Sequence, residues 1–138
     1  TCGAHCGRDF LERDARLEGP WTDAREETAQ GGEQKVMTDL TVAGTATFTV
    51  NPKAAGHYRV YMWWGRVAGA AKRARVEVRD ADGIARLRVN QADVSGRWRL
   101  LGTFRTSPGQ PFVIQLSTEG AEGAVALDAL KLEPVTAQ

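Results

Sequence analysis

The sequence predicts an all-β protein: an antiparallel β-sandwich, jelly-roll-like in its strand arrangement, with an irregular N-terminal segment. The first indication is a series of short runs that alternate apolar with polar residues and are rich in β-branched side chains. The second is the turn signals between these runs, among them Asn51-Pro52, Asp82-Gly83 and Ser107-Pro108-Gly109. The third is that no long run with the 3.6-residue period of a helix follows residue 18.

The size and composition suit one globular domain. The chain has 138 residues, of which 42% are hydrophobic and 25% charged, and this balance is typical of a folded domain with a single core. No apolar run approaches the roughly 20 residues that a membrane-spanning helix needs. We expect a cysteine-bearing tail over residues 1–8, the sandwich domain over 9–135 and a short tail over 136–138.

The N-terminal part of the domain carries the weakest signals. Residues 9–18, "DFLERDARLE", predict either a helical turn or an irregular first strand. Residues 18–34 are polar and contain Gly19-Pro20 and Gly31-Gly32, so they predict a loop with room for one short strand.

From residue 45 onward the alternation is strong. In "ARVEVRD", for example, Val76 and Val78 share one face of the strand and charged residues occupy the other. The predicted strands are 45–50, 57–64, 74–80, 84–90, 96–106, 111–117 and 124–134. The side chains expected in the core are Tyr58, Val60, Met62, Trp64, Val76, Val78, Leu87, Val89, Trp98, Phe112, Ile114 and Leu116.

The run "AAGHYRVYMWWG", residues 54–65, holds four of the ten Phe, Trp and Tyr residues of the chain. Side chains alternate across a strand, so these aromatic residues divide between two faces. Arg59 is costly to bury without a partner, so its face should be the outer one. Tyr61 and Trp63 share that face, which is either open to solvent or covered by the N-terminal segment. The opposite set, expected in the core, is Tyr58, Val60, Met62 and Trp64.

Three stretches of the chain resemble golvesin C-terminal-like domains. "NPKAAGHYRVYMWW" is similar to the strand pair of that family, and "IQLSTEGAEGAVALDALKL" to its closing pair. "RVNQADVSGRWRLLGTF" resembles its most specific stretch, with Asn90-Gln91 followed by Trp98 and Phe104. The resemblance covers about residues 9–135. It implies a small β-sandwich of the kind appended to secreted bacterial enzymes, among them polysaccharide lyases, and similar to galactose-binding-like carbohydrate modules.

From this resemblance we expect a secreted or cell-surface bacterial protein that binds polysaccharide and is not itself an enzyme. No serine nucleophile elbow, P-loop or dinucleotide fingerprint is present. Residues 53–105 hold twelve basic residues against four acidic ones, which favours an acidic polysaccharide. Tyr61 and Trp63 would stack on sugar rings, and arginines would pair with the acidic groups. The arginines expected in this role are Arg59, Arg97 and Arg99.

An alternative function is a structural or assembly subunit of a cell surface or extracellular filament. Its partner would be a neighbouring chain, including a second copy of this one, engaged by the N-terminal tail. Cys2 and Cys6 in that tail can form a disulfide within or between chains, have no structural role, or carry lipid. Of these we expect a disulfide. Zinc is not expected, because His5 and His57 are the only histidines.

Asp128 lies in a predicted strand made otherwise of Ala, Val and Leu. A carboxylate there needs hydrogen bonds or a cation. We expect it to accept hydrogen bonds from loop backbone. The alternative is a ligand of a structural calcium ion, as in the galactose-binding-like modules that the chain resembles, and no other cofactor is expected. Nucleic acid is not an expected partner, because no recognition helix is apparent.

Overall fold

The structure is a computed structural model, and it describes residues 9–11, 15–29, 32–38, 44–52, 55–93 and 95–135. These residues form twelve strands and no α-helix. Accordingly, no helix that could cross a membrane occurs within the described ranges. The strands are β1 (Asp9–Leu11), β2 (Arg16–Glu18), β3 (Thr22–Arg25), β4 (Glu33–Met37), β5 (Thr45–Val50), β6 (Gly56–Trp63), β7 (Ala74–Asp80), β8 (Gly83–Val89), β9 (Arg99–Thr106), β10 (Phe112–Ser117), β11 (Val125–Leu127) and β12 (Ala129–Pro134).

Two antiparallel sheets form the layers of a β-sandwich. One has four strands in the order β1-β12-β6-β9, and the other has five in the order β2-β5-β10-β7-β8. Their inner faces share one buried cluster of side chains. A third sheet, β11-β4-β3, joins the sandwich through β11, which leads directly into β12. The predicted all-β sandwich is confirmed.

The register of the strands explains the core. Phe48 of β5, Ile114 of β10 and Val78 of β7 lie side by side across the five-stranded sheet, and all three are buried. In the facing sheet, Leu132 of β12 lies beside Val60 of β6, and both are buried. Alternation in the sequence therefore becomes two apolar faces that bury each other. The predicted core residues found buried are Val60, Met62, Trp64, Val76, Val78, Val89, Phe112, Ile114 and Leu116.

Three side chains predicted in the core, Tyr58, Leu87 and Trp98, are only partly buried. Tyr58 and Leu87 pack against the margin of the core cluster, and Leu87 lies on β8, the edge strand of its sheet. Trp98 precedes β9 instead of belonging to it, so alternation with Arg97 and Arg99 does not govern its direction.

The two ends of the chain also differ from the prediction. Residues 18–34 contribute β3 and the start of β4, which form a hairpin, where the sequence predicts a loop with one short strand at most. The single closing strand predicted over 124–134 is two strands that break at Asp128 and pair in different sheets. Cys2, Cys6 and the disulfide predicted for them lie outside the described residues, as do both tails.

Two buried glutamine side chains hold the sheets together. The Gln91 amide donates to Ala126 O and accepts from Ala126 N, both at 2.8 Å. The Gln34 amide accepts from Gly65 N at 2.9 Å and donates to Arg66 O at 3.1 Å. Each side chain thus supplies a donor and an acceptor to one short piece of backbone, as a neighbouring strand would. We call these two contacts the glutamine clamps.

Replacing Gln91 by leucine should destabilise the protein strongly. The change leaves the N–H and C=O of Ala126 without their partner, and each buried group left unsatisfied costs about 1–3 kcal/mol. We expect a loss of at least about 2 kcal/mol in the free energy of unfolding, measured by urea denaturation. Gln110→Leu is the matched control, because Gln110 is exposed and donates once, at 3.3 Å, to Asp80 O. Equal unfolding midpoints for the two variants would show that the clamp contributes nothing.

Candidate functional site

An aromatic cluster occupies the outer face of the four-stranded sheet. Tyr61 of β6 lies opposite Lys131 of β12. The Lys131 ammonium lies 4.7 Å from the centre of the Tyr61 ring and 4.8 Å from that of Trp98. Trp98 in turn meets Trp63 edge-on, with 5.4 Å between ring centres and an interplanar angle of 74°. Tyr61, Trp63, Trp98 and Lys131 form what we call the aromatic cluster, in which cation–π contacts hold the lysine between two rings.

The N-terminal hairpin covers one end of this cluster. The Trp63 indole N–H donates to Thr28 O, in the β3–β4 loop, at 2.8 Å. The Thr28 hydroxyl accepts a hydrogen bond from Arg66 N at 2.9 Å, just beyond the end of β6. Gly65 leaves room for this approach, since a Cβ there would lie 2.9 Å from Glu26 Cγ. Of the two alternatives for this face, partial cover by the N-terminal segment is the one found.

The predicted binding arginines lie apart from one another. Arg59 shares the face of Tyr61 but pairs with Glu133 at 3.1 Å. Arg97 is exposed in the β8–β9 loop. The Arg99 guanidinium lies 5.9 Å from the Trp64 ring centre, on the inner side of the sheet, and 3.4 Å from Asp93. The structure therefore groups Tyr61 and Trp63 with Trp98 and Lys131. Only the register between β6 and β12 reveals Lys131, and no sequence signal gives that register.

Glu26 organises the loop that seats Trp63. Its carboxylate accepts hydrogen bonds from the Thr28 hydroxyl at 2.6 Å and from Thr28 N at 3.0 Å. These two hydrogen bonds, with a smaller contribution from the nearby Arg66 charge, lower the pKa of Glu26 below its ordinary value of 4.5. The loop thus depends on an ionised carboxylate.

A polar cleft opens beside this loop, between the β6–β7 and β8–β9 connections. Its volume is about 570 Å³, within the range of ordinary ligand pockets. We call it the loop-end cleft. Its polar lining comes from Arg66, Lys72, Gln91, Asp93 and Ser95. Arg66 and Lys72 form no ion pair with any other described residue. None of the residues predicted to bind ligand lines this cleft, because its shape depends on how two loops meet.

Asp128 is buried where β11 leads into β12. Within the described ranges, no group of three or more His, Cys, Asp and Glu side chains could hold a metal ion.

Comparison with known proteins places the chain in a family. Residues 10–134 match the Golvesin C-terminal domain. The chain belongs to the golvesin C-terminal domain family. This golvesin domain is 30% identical over 122 residues to the xanthan lyase of Bacillus sp. (strain GL1), a match that covers 85% of the chain and 13% of the lyase.

A solved xanthan lyase structure also contains a domain similar to this chain. A Paenibacillus xanthan lyase superposes with a TM-score of 0.88 at 28% identity, over 99% of this chain and 14% of the lyase. A family 35 carbohydrate-binding module from Clostridium thermocellum gives 0.60 at 16% identity, over 91% of this chain and 97% of the module. A GH26-CBM35 mannanase from Podospora anserina gives 0.72 at 15% identity, over 97% of this chain and 29% of the enzyme. The last two likenesses show a shared fold, and the chain spans only a small part of either lyase.

Replacing Trp63 by phenylalanine should loosen the covering loop. The change keeps an aromatic ring but removes the donor to Thr28 O, and a partly buried acceptor left unpaired costs roughly 1–3 kcal/mol. Urea denaturation should show a loss in this range. Trp98→Phe is the control, because the Trp98 indole N–H donates to no other described residue. A Trp98→Phe loss as large as that of Trp63→Phe would contradict a special role for the Thr28 hydrogen bond.

The loop should also respond to acid. Because folding lowers the pKa of Glu26, its contribution to stability is complete above pH 4.5 and is lost as the pH falls through the lower folded-state pKa. Thr28→Val removes the hydroxyl donor, so the pKa of Glu26 should rise toward 4.5, measured by carboxyl ¹³C NMR. Thr103→Val alters an exposed threonine on β9 and is the control, in which the pKa of Glu26 should stay unchanged. An unchanged Glu26 pKa in Thr28→Val would refute the Thr28 hydroxyl as the main cause of the lowered value.

Proposed function

We propose that this golvesin domain is a non-catalytic, extracellular accessory module that binds an acidic polysaccharide in the loop-end cleft. The observation that carries the proposal is the lining of that cleft, where Arg66 and Lys72 have no ion-pair partner among the described residues. Cations that form no ion pair favour an anionic ligand, because no salt bridge within the chain has to be broken before the ligand binds.

The remaining lining suits a hydroxylated ligand. The Ser95 hydroxyl can donate or accept, and the Asp93 carboxylate can accept from sugar hydroxyls. The wall between Arg66 and Lys72 includes the small residues Gly69 and Ala70, and Gly69 O accepts a hydrogen bond from Ala124 N at 2.9 Å. Gln91 is already engaged with Ala126 and serves as a rigid support.

The relatives support a carbohydrate ligand. Two xanthan lyases contain a similar domain within chains about seven times longer, which is the arrangement of an appended module. The fold is shared with a family 35 carbohydrate-binding module. Glycoside hydrolysis in the cleft has little support, since Asp93 is the only carboxylic acid among the residues lining it, whereas most glycoside hydrolysis uses two carboxyl groups.

The proposal is tested by removing each cation of the cleft. Arg66→Ala and Lys72→Ala should each weaken binding of soluble xanthan or polygalacturonate roughly tenfold, as expected for a lost charge-assisted hydrogen bond of about 1.5 kcal/mol. Arg25→Ala, which removes an exposed arginine on β3, is the control for net charge. Affinity electrophoresis against these polymers and against neutral dextran provides the measurement.

Binding by the unaltered domain should weaken as salt increases, because exposed charges are screened over about 8–10 Å near physiological ionic strength. Equal retention by dextran, or an Arg25→Ala effect as large as that of Arg66→Ala, would argue against the proposal. So would the absence of retention by every acidic polymer.

A further inference from the structure

The outer face of the five-stranded sheet forms a shallow trough. Its floor consists of Thr, Val and Gln side chains on the two neighbouring strands β5 and β10, and longer arginine side chains lie on the strands to either side. Arg16 of β2 lies on one side, and Arg79 of β7 and Arg86 of β8 lie on the other. The floor residues are Thr45, Thr47, Thr49, Val113 and Gln115. We call this surface the sheet trough.

The trough contains a defined depression. Glu77, Arg79, Val113 and Gln115 line a cavity of about 200 Å³. Gln115 donates to the Thr47 hydroxyl at 3.1 Å, which fixes the orientation of its amide and leaves its oxygen without a partner among the described residues. Hydroxyl and amide groups that lie on rigid strands are suited to hydrogen-bond the hydroxyls of a sugar chain.

The charges of this face are unbalanced. Arg16 approaches Glu18 at 3.7 Å, and Arg75 lies between Glu77 at 3.3 Å and Glu119 at 3.2 Å. Arg79 and Arg86 stand at the trough with no ion pair to any described residue. Both are exposed, so their guanidinium groups can meet a ligand without first leaving a partner.

We propose that the sheet trough is a second binding site, which takes an extended segment of an anionic polysaccharide. This inference rests on the proposed function for the class of ligand, and it adds a surface remote from the loops. β5 and β10 have six residues each, and at about 3.3 Å per residue the floor is roughly 20 Å long. The ligand is therefore a run of several sugar rings, with carboxylates that reach Arg79 and Arg86.

The same arginines would attract nucleic acid, but the floor argues against it. Single-stranded nucleic acids gain much of their binding energy by stacking bases on aromatic side chains. The described residues of this face are Thr, Val, Gln, Ser, Ile, Arg and Glu, with no aromatic ring among them. Hydrogen bonds to hydroxyl groups fit this floor better than stacking does.

The test begins from a variant in which the loop-end cleft has lost both cations, Arg66→Ala with Lys72→Ala. That protein should still bind a hexamer of galacturonic acid in titration calorimetry. Adding Val113→Trp, which fills the depression without changing charge, should weaken this remaining binding at least tenfold. Arg79→Ala with Arg86→Ala should do the same. Thr103→Trp, on the outer face of the other sheet, is the control for an added surface tryptophan, and thermal melts verify that each variant folds.

The possible results separate the two proposals. If the unaltered protein binds the hexamer but the Arg66→Ala, Lys72→Ala variant does not, the loop-end cleft is the whole site and the trough is refuted. If Arg79→Ala with Arg86→Ala weakens binding but Val113→Trp does not, the arginines act only through general attraction, and the trough is again refuted. Tight binding of a single-stranded DNA 12-mer that Val113→Trp abolishes, without hexamer binding, would assign the trough to nucleic acid. A protein that binds no acidic polymer contradicts both proposals.

Discussion

The structure around the loop-end cleft depends on one constraint: buried backbone N–H and C=O groups need hydrogen-bond partners where strands leave their sheets. A buried N–H or C=O without a partner is costly, and strands normally satisfy each other along a ladder. Where β6 ends and where β11 runs, the glutamine clamps take over this role, with Gln34 on Gly65-Arg66 and Gln91 on Ala126. Because Gln91 also lines the loop-end cleft, the same contact that ties β11 to the β8–β9 connection gives the cleft a fixed wall.

The aromatic cluster and the polar surfaces have different tasks. Trp63 is engaged with Thr28, and the rings of Tyr61 and Trp98 hold Lys131. The contact between Trp63 and Thr28 attaches the β3–β4 hairpin to the four-stranded sheet. The Trp63 N–H and the two rings that contact Lys131 are thus already engaged within the chain, so they are less available to a sugar. Among the described residues, Arg66 and Lys72 at the loop-end cleft and Arg79 and Arg86 along the sheet trough are cations that form no ion pair. Recognition by charge and hydrogen bonding is therefore better supported by these surfaces than recognition by stacking.

How much could be predicted from the sequence depends on the range of the interactions involved. Alternation is local, so "TATFTV" and "ARVEVRD" predict β5 and β7 with their bounds, and the second run places Val76 and Val78 inside. The break at Asp128 is not local, because it arises when one strand must pair first with β4 and then with β6. The surroundings of Lys131 escape prediction for a related reason, since its place opposite Tyr61 depends on the register between distant strands. Those of Trp98 escape prediction because it lies in a loop, just before β9. The motif Asn90-Gln91 is visible in the sequence, but its physical role, the clamp on Ala126, requires the fold.

The two proposed binding surfaces are joined by a single strand. Lys72 of the cleft precedes β7 by two residues, and Arg79 of the trough lies near the other end of that strand. The seven steps along the chain from Lys72 to Arg79 span at most roughly 23 Å at the usual rise of a strand. A polysaccharide longer than this can reach both surfaces, and once one segment is bound the second meets its site at high effective concentration. Two weak polar sites near opposite ends of one strand would then hold a long chain more firmly than a short one, with no aromatic platform required.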